Sequence, residues 1–213
     1  VPLVQPMYFS FPSERHAYHA SHQFLLGSEL MAAPYLLQAD TFTRLSRQAV
    51  WFPPCGTWFD LFDGTQFKGG QWQALYGSLD EMPLFAKAGA IIPLMPHDST
   101  SETLASDSLD LVVFPGENPG VELYDASSGP PSLTFVLHRG FDSRITVLTI
   151  DQSSAAPKRS FTVIFRSITK PTAFVVEADS TQVVAPSELE YDIETNTAVV
   201  GPIAVPAGAA VVS

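Results

Sequence analysis

The sequence predicts a mainly β protein, in which two consecutive antiparallel β-sandwiches follow a short buried segment of barrel type. Short apolar segments alternate with Pro, Gly and Asp-Gly turn signals along most of the chain. No amphipathic helical pattern of ordinary length follows residue 37. Near residue 97 the composition changes from aromatic-rich to rich in Ser, Thr and Val. We therefore expect three parts, residues 1–36, 37–97 and 98–213.

The first part contains two short apolar segments, residues 7–11 and 24–33, and each is bounded by proline. The second segment is continuously apolar and stops at Pro34, which is typical of a strand buried on both faces. Parallel barrel strands have this character. The pattern therefore predicts a strand of this buried kind at residues 24–33.

Residues 37–97 predict a small domain of antiparallel sheet. Apolar segments flank the turn at residues 53–56, and Asp63-Gly64 is a hairpin-type turn. A strand pair is expected around Gly89. Residues 98–213 repeat short strands at regular spacing, with turn signals between them, and predict a second sandwich.

Charge and composition limit the classes of function. The net charge is −11, which disfavours nucleic acid and anionic membranes as partners and fits a neutral substrate or no substrate at all. The single cysteine, Cys55, excludes an internal disulfide and a Cys-based zinc site. The apolar run at residues 204–212 is too short for a membrane span. We expect a soluble protein, cytoplasmic or secreted, that begins inside a longer polypeptide, since it has neither an initiator Met nor a signal peptide.

Candidate catalytic and metal-binding groups are present but poorly placed. The carboxylate pairs sit in or beside turns, where Asp bonds to its own backbone and stays solvated; they are Asp60 with Asp63, Asp80 with Glu81, and Asp107 with Asp110. The triplet His16, His19 and His22 has no further ligand at metal spacing, so surface histidines are expected. No catalytic residue, metal site or cofactor is predicted in this chain.

Three aromatic residues could stack on sugar rings, because an apolar pyranose face packs well on an aromatic ring. They are Trp58, Trp72 and Tyr76. We expect that they instead fill a sandwich core.

Four motifs in the same order cover the first ninety or so residues and resemble the C-terminal end of glycoside hydrolase family 31, the α-glucosidase and α-xylosidase family. They are QPMYFSFP at residues 5–12, QFLLGSELMAAP at residues 23–34, FPPCGTWFD at residues 52–60 and MPLFAKAGAIIP at residues 82–93. In that family these segments look like the last barrel strands and the proximal C-terminal sandwich.

The second half is similar to the distal C-terminal sandwich of that family, through VFPG at residues 113–116 and ELYD at residues 122–125. Three departures stand out. The family's acidic turn is replaced by DASSG at residues 125–129, Gln5 stands where many relatives carry Arg, and His22 stands where an acidic residue often precedes Gln-Phe.

The resemblance implies a role within a larger enzyme. The family uses a catalytic Asp pair on earlier strands of a (β/α)8 barrel, upstream of residue 1, and acts on α-linked glucosides or oligosaccharides by a retaining mechanism. The partner would be that barrel portion, and this chain alone would be inactive. Ala33, Pro34 and Tyr35 would lie nearest the barrel mouth as candidates for substrate contact. A transglycosylase of the same family and a stand-alone carbohydrate-binding or interaction module remain alternatives.

Overall fold

The chain divides into two compact units, Val1–Ala88 and Gly89–Ser213. The structure is a computed structural model and describes residues 2–96, 108–124, 133–139, 146–152, 159–172, 176–178, 181–183, 189–204 and 208–212. The mainly β fold is confirmed, with helix limited in the described residues to a four-residue α-helix and a four-residue 3-10 turn. No helix among these residues is long and apolar enough to cross a membrane.

The first unit contains one six-stranded sheet and one two-stranded sheet. In chain order its elements are β1 (Val4–Pro6), helix α1 (Met7–Ser10), a 3-10 turn (Arg15–Tyr18), β2 (Phe24–Leu26), β3 (Leu30–Ala32), β4 (Ser46–Phe52), β5 (Thr57–Asp60), β6 (Gln66–Lys68), β7 (Gln71–Gly77) and β8 (Leu84–Lys87). The large sheet has the order β1-β2-β3-β8-β5-β6, and β4 pairs with β7. Every one of these pairings is antiparallel.

The parallel pairing expected for residues 24–33 is not observed. β3 pairs antiparallel with β2 on one side and with β8 on the other, with Met31 opposite Leu25 and Phe85. Met31, Ala32 and Ala33 are fully buried, which accounts for the absence of polar residues in this part of residues 24–33. Burial on both faces therefore explains the pattern, and such burial also occurs in a central antiparallel strand. The borders predicted at residues 36 and 97 stay predictions.

The core of the first unit is aromatic. Trp51, Phe52, Trp58 and Phe85 are all buried in one cluster. The Phe52 ring stacks on Phe67 with centroids 4.7 Å apart and meets Phe85 edge-on at 5.0 Å. Both are arrangements that aromatic rings prefer. This cluster holds β4, β5, β6 and β8 together.

A buried glutamine links the beginning of this unit to β4. The Gln23 side chain donates to the Trp51 carbonyl oxygen at 2.7 Å and accepts from the Trp51 N–H at 2.8 Å. The side-chain amide of Gln23 thus pairs with β4 at Trp51 as the backbone of a neighbouring strand would. Buried backbone groups need such partners.

The second unit contains two larger sheets. Its strands are β9 (Ile91–Leu94), β10 (Ser108–Val113), β11 (Asn118–Leu123), β12 (Leu133–Arg139), β13 (Thr146–Gln152), β14 (Ser160–Phe165), β15 (Val176–Ala178), β16 (Thr181–Val183), β17 (Leu189–Asp192), β18 (Thr197–Ala204) and β19 (Gly208–Val212). The sheet orders are β17-β18-β14-β10-β9 and β11-β12-β13-β19-β15-β16. β10 and β14 run parallel, and the other recorded pairs are antiparallel.

Residues from both sheets share one hydrophobic core, as in a sandwich. In β10, Leu109, Leu111 and Val113 are buried, and so is Val112 between the last two. In β12 the buried residues stand at every second position, and they are Leu133, Phe135 and Leu137. Since successive side chains of a strand point to opposite faces, these residues all point to one side of their sheet.

A tight turn opens the second unit. Gly89 has φ +79°, and an added Cβ would clash with the carbonyl oxygen of Glu117. The Gly89 N–H donates to the Pro115 carbonyl at 3.0 Å, and the Asn118 amide donates to the Gly89 carbonyl at 3.1 Å. Only glycine fits this close approach of two backbone segments.

Candidate functional site

A cleft of about 610 Å³ lies in the first unit, within the range of ordinary ligand pockets. Three segments form it: the turn between β5 and β6, the end of β7 with the loop after it, and Tyr35, which follows β3. The lining residues are Tyr35, Asp60, Phe62, Asp63, Thr65, Phe67, Leu75, Tyr76, Asp80, Glu81, Met82, Pro83 and Phe85. They all belong to one unit, so its sheets position every part of the cleft.

Asp60 organises the turn between β5 and β6. Its Oδ1 accepts the N–H of Phe62 at 2.8 Å and the N–H of Asp63 at 3.2 Å. The Asp63 carboxylate in turn accepts the N–H of Thr65 at 2.7 Å. These are the bonds of Asx-type turns, as expected for this pair. The turn leaves the Phe62 side chain 61% exposed beside the cleft.

Backbone contacts bring the residues after β3 to the loop after β7. The Ala33 N–H donates to the Pro83 carbonyl at 3.0 Å, and the Glu81 N–H closes a turn onto the Ser78 carbonyl at 3.1 Å. Ala33 itself is fully buried and Pro34 is partly buried. Of the three predicted substrate contacts, Tyr35 alone lines the cleft.

Gly77 makes room for Tyr35 and Glu81. A Cβ added at Gly77 would lie 2.6 Å from Cε2 of the Tyr35 ring and 2.5 Å from Oε2 of Glu81. Both are closer than real Cβ contacts, so the ring and the carboxylate sit directly against the glycine backbone. Burial raises the pKa of the Tyr35 phenol, and the charges of Glu81 and Asp60 raise it further.

The cleft carries acidic and aromatic groups without a basic one. Four carboxylates line it, and its lining includes neither Lys nor Arg. Among the described residues, no three His, Cys, Asp or Glu side chains are close enough together to hold a metal ion. The chemistry on offer is therefore hydrogen-bond acceptance at several separate points, next to aromatic surfaces.

The remaining candidates have other surroundings. Trp58 is buried and donates from its indole to the Pro53 carbonyl at 3.1 Å, as a core residue would. Trp72, which was expected in the core, is instead exposed, and its indole donates to Nδ1 of His16 at 3.1 Å. Burial raises the pKa of Asp110, while Asp107 lies outside the described residues. The replaced acidic turn at residues 125–129 also lies outside them.

Sequence reasoning missed Gly77, Phe62 and Gln23. Gly77 follows the predicted aromatic Tyr76 directly, and nothing in its immediate sequence indicates that Tyr35 packs on it. Phe62 lies in the turn after β5, and its apolar character does not indicate that it is exposed beside a cleft. Gln23 lies inside the QFLLGSELMAAP motif, a position that could have suggested a buried role.

Comparison with known families finds a match for the first part of the chain. The model of the glycosyl hydrolase family 31 C-terminal domain matches residues 1–92. Residues 1–92 are therefore similar to the C-terminal domain of family 31. The resemblance stated from the four motifs is thereby confirmed for the segment in which all four lie.

Curated relatives of the family 31 domain are much longer proteins. An α-xylosidase of Saccharolobus solfataricus is 28% identical over 123 residues, which is 58% of this chain and 16% of the relative. A probable glucan 1,3-alpha-glucosidase of Oryza sativa is 28% identical along the whole chain, which corresponds to 23% of the relative. The chain thus spans about a fifth of the length of these relatives.

Solved structures share the fold of both units. A cycloalternan-forming enzyme of Listeria monocytogenes superimposes with a TM-score of 0.76 at 25% identity, over 99% of this chain and 20% of that enzyme. A family 31 dextranase of Flavobacterium johnsoniae gives a TM-score of 0.73 at 21% identity, over 100% of this chain and 29% of that enzyme. The likeness extends beyond the family 31 domain to the second unit.

Proposed function

We propose that this chain is the C-terminal scaffold part of a retaining α-glycoside hydrolase that acts on α-linked glucosides or oligosaccharides. The match of residues 1–92 to a family 31 C-terminal domain carries the proposal. Relatives bearing the names α-xylosidase and α-glucosidase align with this chain over only 16% and 15% of their length, so their other parts lie outside the aligned segment. The catalytic Asp pair would lie in a (β/α)8 barrel portion, joined to this chain or associated with it.

The carboxylates of Asp60 and Asp63 support the proposal that the catalytic pair lies elsewhere. A retaining glycosidase needs two carboxyl groups about 5–5.5 Å apart across the sugar, one as nucleophile and one as acid/base. Asp60 and Asp63 instead use carboxylate oxygens to accept N–H groups of their own turn. We expect this chain alone to hydrolyse nothing, and we expect neither a cofactor nor a metal to be required.

An exposed apolar face at the beginning of the chain supports the proposal that a large partner binds there. We name it the N-terminal apolar face, and its residues are Leu3, Val4, Tyr8, Phe9 and Tyr18, all more than 40% exposed. The Tyr8 and Tyr18 rings stack with centroids 5.4 Å apart, so part of the face is ordered. Exposed apolar patches of this kind mark interaction sites. The barrel portion is the partner that the family implies.

The proposal assigns a role to each part of the chain. Residues 1–36 would lie against or complete the barrel, residues 37–97 would be the proximal sandwich and residues 98–213 the distal one. Ala33, Pro34 and Tyr35 would then be the residues of this chain nearest the substrate. Only Tyr35 among them lines a cleft in the first unit.

The experiment is to isolate the chain from its natural source through a tag at its C-terminus and to measure the mass of everything that accompanies it. Hydrolysis of α-glucosides and α-xylosides is assayed on the same material. We expect a species much larger than the 23.1 kDa of this chain, with α-glycosidase activity. A 23.1 kDa species alone, without activity, would contradict the proposal and favour a stand-alone module.

A substitution in the N-terminal apolar face tests the association itself. If the barrel is a separate polypeptide, Phe9→Asp should reduce its recovery strongly, because a charge would be buried in an apolar interface. Phe9 is 64% exposed, so the chain itself should still fold. Phe42→Asp is the matched control, since Phe42 is exposed and lies outside this face. Equal recovery with both variants would argue against the face as the contact.

Transfer between sugars is a second candidate activity. An isomaltosyltransferase and a 1,6-alpha-glucosyltransferase of Sporosarcina globispora are each 29% identical, over 94 and 116 residues. The activity assay should therefore use maltose and analyse products by size. Longer oligosaccharides would indicate a transglycosylase, and glucose alone a hydrolase.

A further inference from the structure

We infer that the cleft between Tyr35, the β5–β6 turn and the loop after β7 is a binding site for a neutral oligosaccharide. Its volume of about 610 Å³ suits a small ligand. The aromatic side chains of Phe62 and Tyr76 both line it, and each is 61% exposed. Apolar faces of pyranose rings pack on such surfaces because burial removes apolar area from water.

The polar groups of the cleft suit sugar hydroxyls. The carboxylates of Asp80 and Glu81 accept no hydrogen bond and form no ion pair within the described part of the chain. A carboxylate accepts hydrogen bonds from hydroxyl groups, and bonds to a charged acceptor are the stronger ones. A ligand with several hydroxyls around an apolar ring therefore matches both surfaces at once.

Charge excludes other ligand classes. The absence of Lys and Arg from the lining disfavours phosphates, nucleotides and carboxylated sugars, since carboxylates would repel them. A metal ion requires ligands that converge on one point, and the described residues include no such group. An organic cation also prefers concentrated negative charge, whereas no three acidic side chains of the described residues group together. This arrangement favours a neutral molecule with many donors.

Parts of the cleft are set before any ligand binds. The Asp60 and Asp63 hydrogen bonds fix the turn that carries Phe62. Tyr35 is held against Gly77, where no larger side chain fits. Preformed groups lose less conformational entropy on binding, which increases affinity. This inference does not depend on the proposed catalytic partner, because every lining residue belongs to this chain.

The test is to titrate the full 213-residue chain with maltotetraose and with isomaltotriose. Binding is measured by saturation-transfer NMR and by calorimetry. We expect saturable binding at millimolar sugar that changes little with salt. Tyr76→Ala and Phe62→Ala should each weaken it about tenfold, because each removes a stacking surface. Both residues are exposed, so thermal unfolding should change little. Tyr124→Ala is the matched control, since Tyr124 is an exposed tyrosine of the second unit.

Two variants that remove a negative charge distinguish binding of a neutral sugar from binding of a cation. Asp80→Asn and Glu81→Gln keep an acceptor oxygen and remove the charge, so sugar binding should fall only a few-fold. Spermine, used as the competing probe, would bind in a salt-sensitive way and lose most of its affinity in these variants. Saturable spermine binding without sugar binding would overturn the inference. So would sugar binding that Tyr76→Ala and Phe62→Ala leave intact, or no binding of either sugar. None of these outcomes depends on whether α-glycosidase activity accompanies the chain.

Discussion

The two units of this chain bury their sheets with different side chains. The first has an aromatic core built around Trp51, Phe52, Trp58 and Phe85, with rings stacked and edge-on. The core of the second is mostly aliphatic, with Leu, Val and Ile from β10, β12, β13 and β14 together with Phe135 and Phe161. Large rings reach across several strands, whereas alternating aliphatic residues pack locally. The cleft, which lies in the first unit, is lined in part by Phe67 and Phe85 of its core rings.

The two kinds of core should differ in how well they tolerate substitution. An alternating aliphatic core tolerates many exchanges of similar volume. A ring cluster has fewer alternatives, because each ring has a preferred geometry with its neighbours. The first unit should therefore respond more sharply to single substitutions than the second.

Loss of a core tryptophan is expected to have the largest effect. Trp58→Ala removes a buried indole and its hydrogen bond to Pro53, and it should lower the unfolding free energy of the first unit by about 3–5 kcal/mol. Tryptophan fluorescence reports on that unit alone, since all three tryptophans lie within it. The matched variant Leu111→Ala changes the core of the second unit, which contains no tryptophan. It should shift the unfolding transition seen by far-UV circular dichroism and leave the fluorescence transition unchanged. Identical shifts of both signals in both variants would show that the cores are not separate.

Loss of the buried glutamine should follow in size. Gln23→Ala leaves the N–H and the carbonyl of Trp51 without their partners, and we expect a loss of about 2–4 kcal/mol in unfolding free energy. The control Gln71→Ala changes an exposed glutamine and should stay within about 0.5 kcal/mol. Chemical denaturation followed by fluorescence measures both. A mild effect at Gln23 would mean that water replaces its side chain.

Filling the space at Gly77 should have an intermediate effect. Gly77→Ala forces the Tyr35 ring or the Glu81 carboxylate to move, at an expected loss of about 1–3 kcal/mol. A double-mutant cycle with Tyr35→Ala isolates the contact, because Gly77→Ala should be milder once the ring is absent. Additive losses would place the strain elsewhere.

The smallest effects concern two tyrosines, one in each unit. Burial is the main cause that raises the pKa of Tyr35, with Glu81 second, whereas a hydrogen bond to Glu122 is the main cause at Tyr124. Glu122→Ala should therefore lower the pKa of Tyr124 more than Glu81→Ala lowers that of Tyr35. NMR titration of the ring signals, assigned with Tyr35→Phe and Tyr124→Phe, measures both. Equal drops would show that charge dominates at both sites.

The sign of the associated pH dependence follows from the raised values. Folding keeps both phenols neutral above their ordinary pKa of 10.0, where the unfolded chain already ionises. The contribution to stability is therefore fully present below pH 10 and is lost as pH rises through the folded pKa. Acidic pH should not change this contribution.

Much of the second unit could be predicted from sequence, because its strands alternate. The burial of Leu133, Phe135 and Leu137 at every second residue of β12 is the period of a strand with one buried face. The parallel pairing of β10 with β14 could not be predicted in this way. Alternation specifies which face is buried but not which strand lies alongside.

In the first unit, the sequence predicted the turns better than the pairings. Asp60 and Asp63 form the turn that their residue types favour. Tyr76 was expected in the core, but it lines a cleft and is exposed, whereas Trp58 is buried as expected. Both are aromatic residues on short strands, and their immediate sequence does not distinguish them.

By itself, the sequence determined that this protein is mainly β, acidic and related through four ordered motifs to a family 31 C-terminal domain. These properties depend on composition, on the two-residue period of strands and on local turn chemistry. The tertiary structure alone decided that β3 pairs antiparallel with β8, and that Tyr35, Asp60, Gly77 and Glu81 meet at one cleft. Such meetings depend on strand order and register, which are selected by packing between residues far apart in the chain.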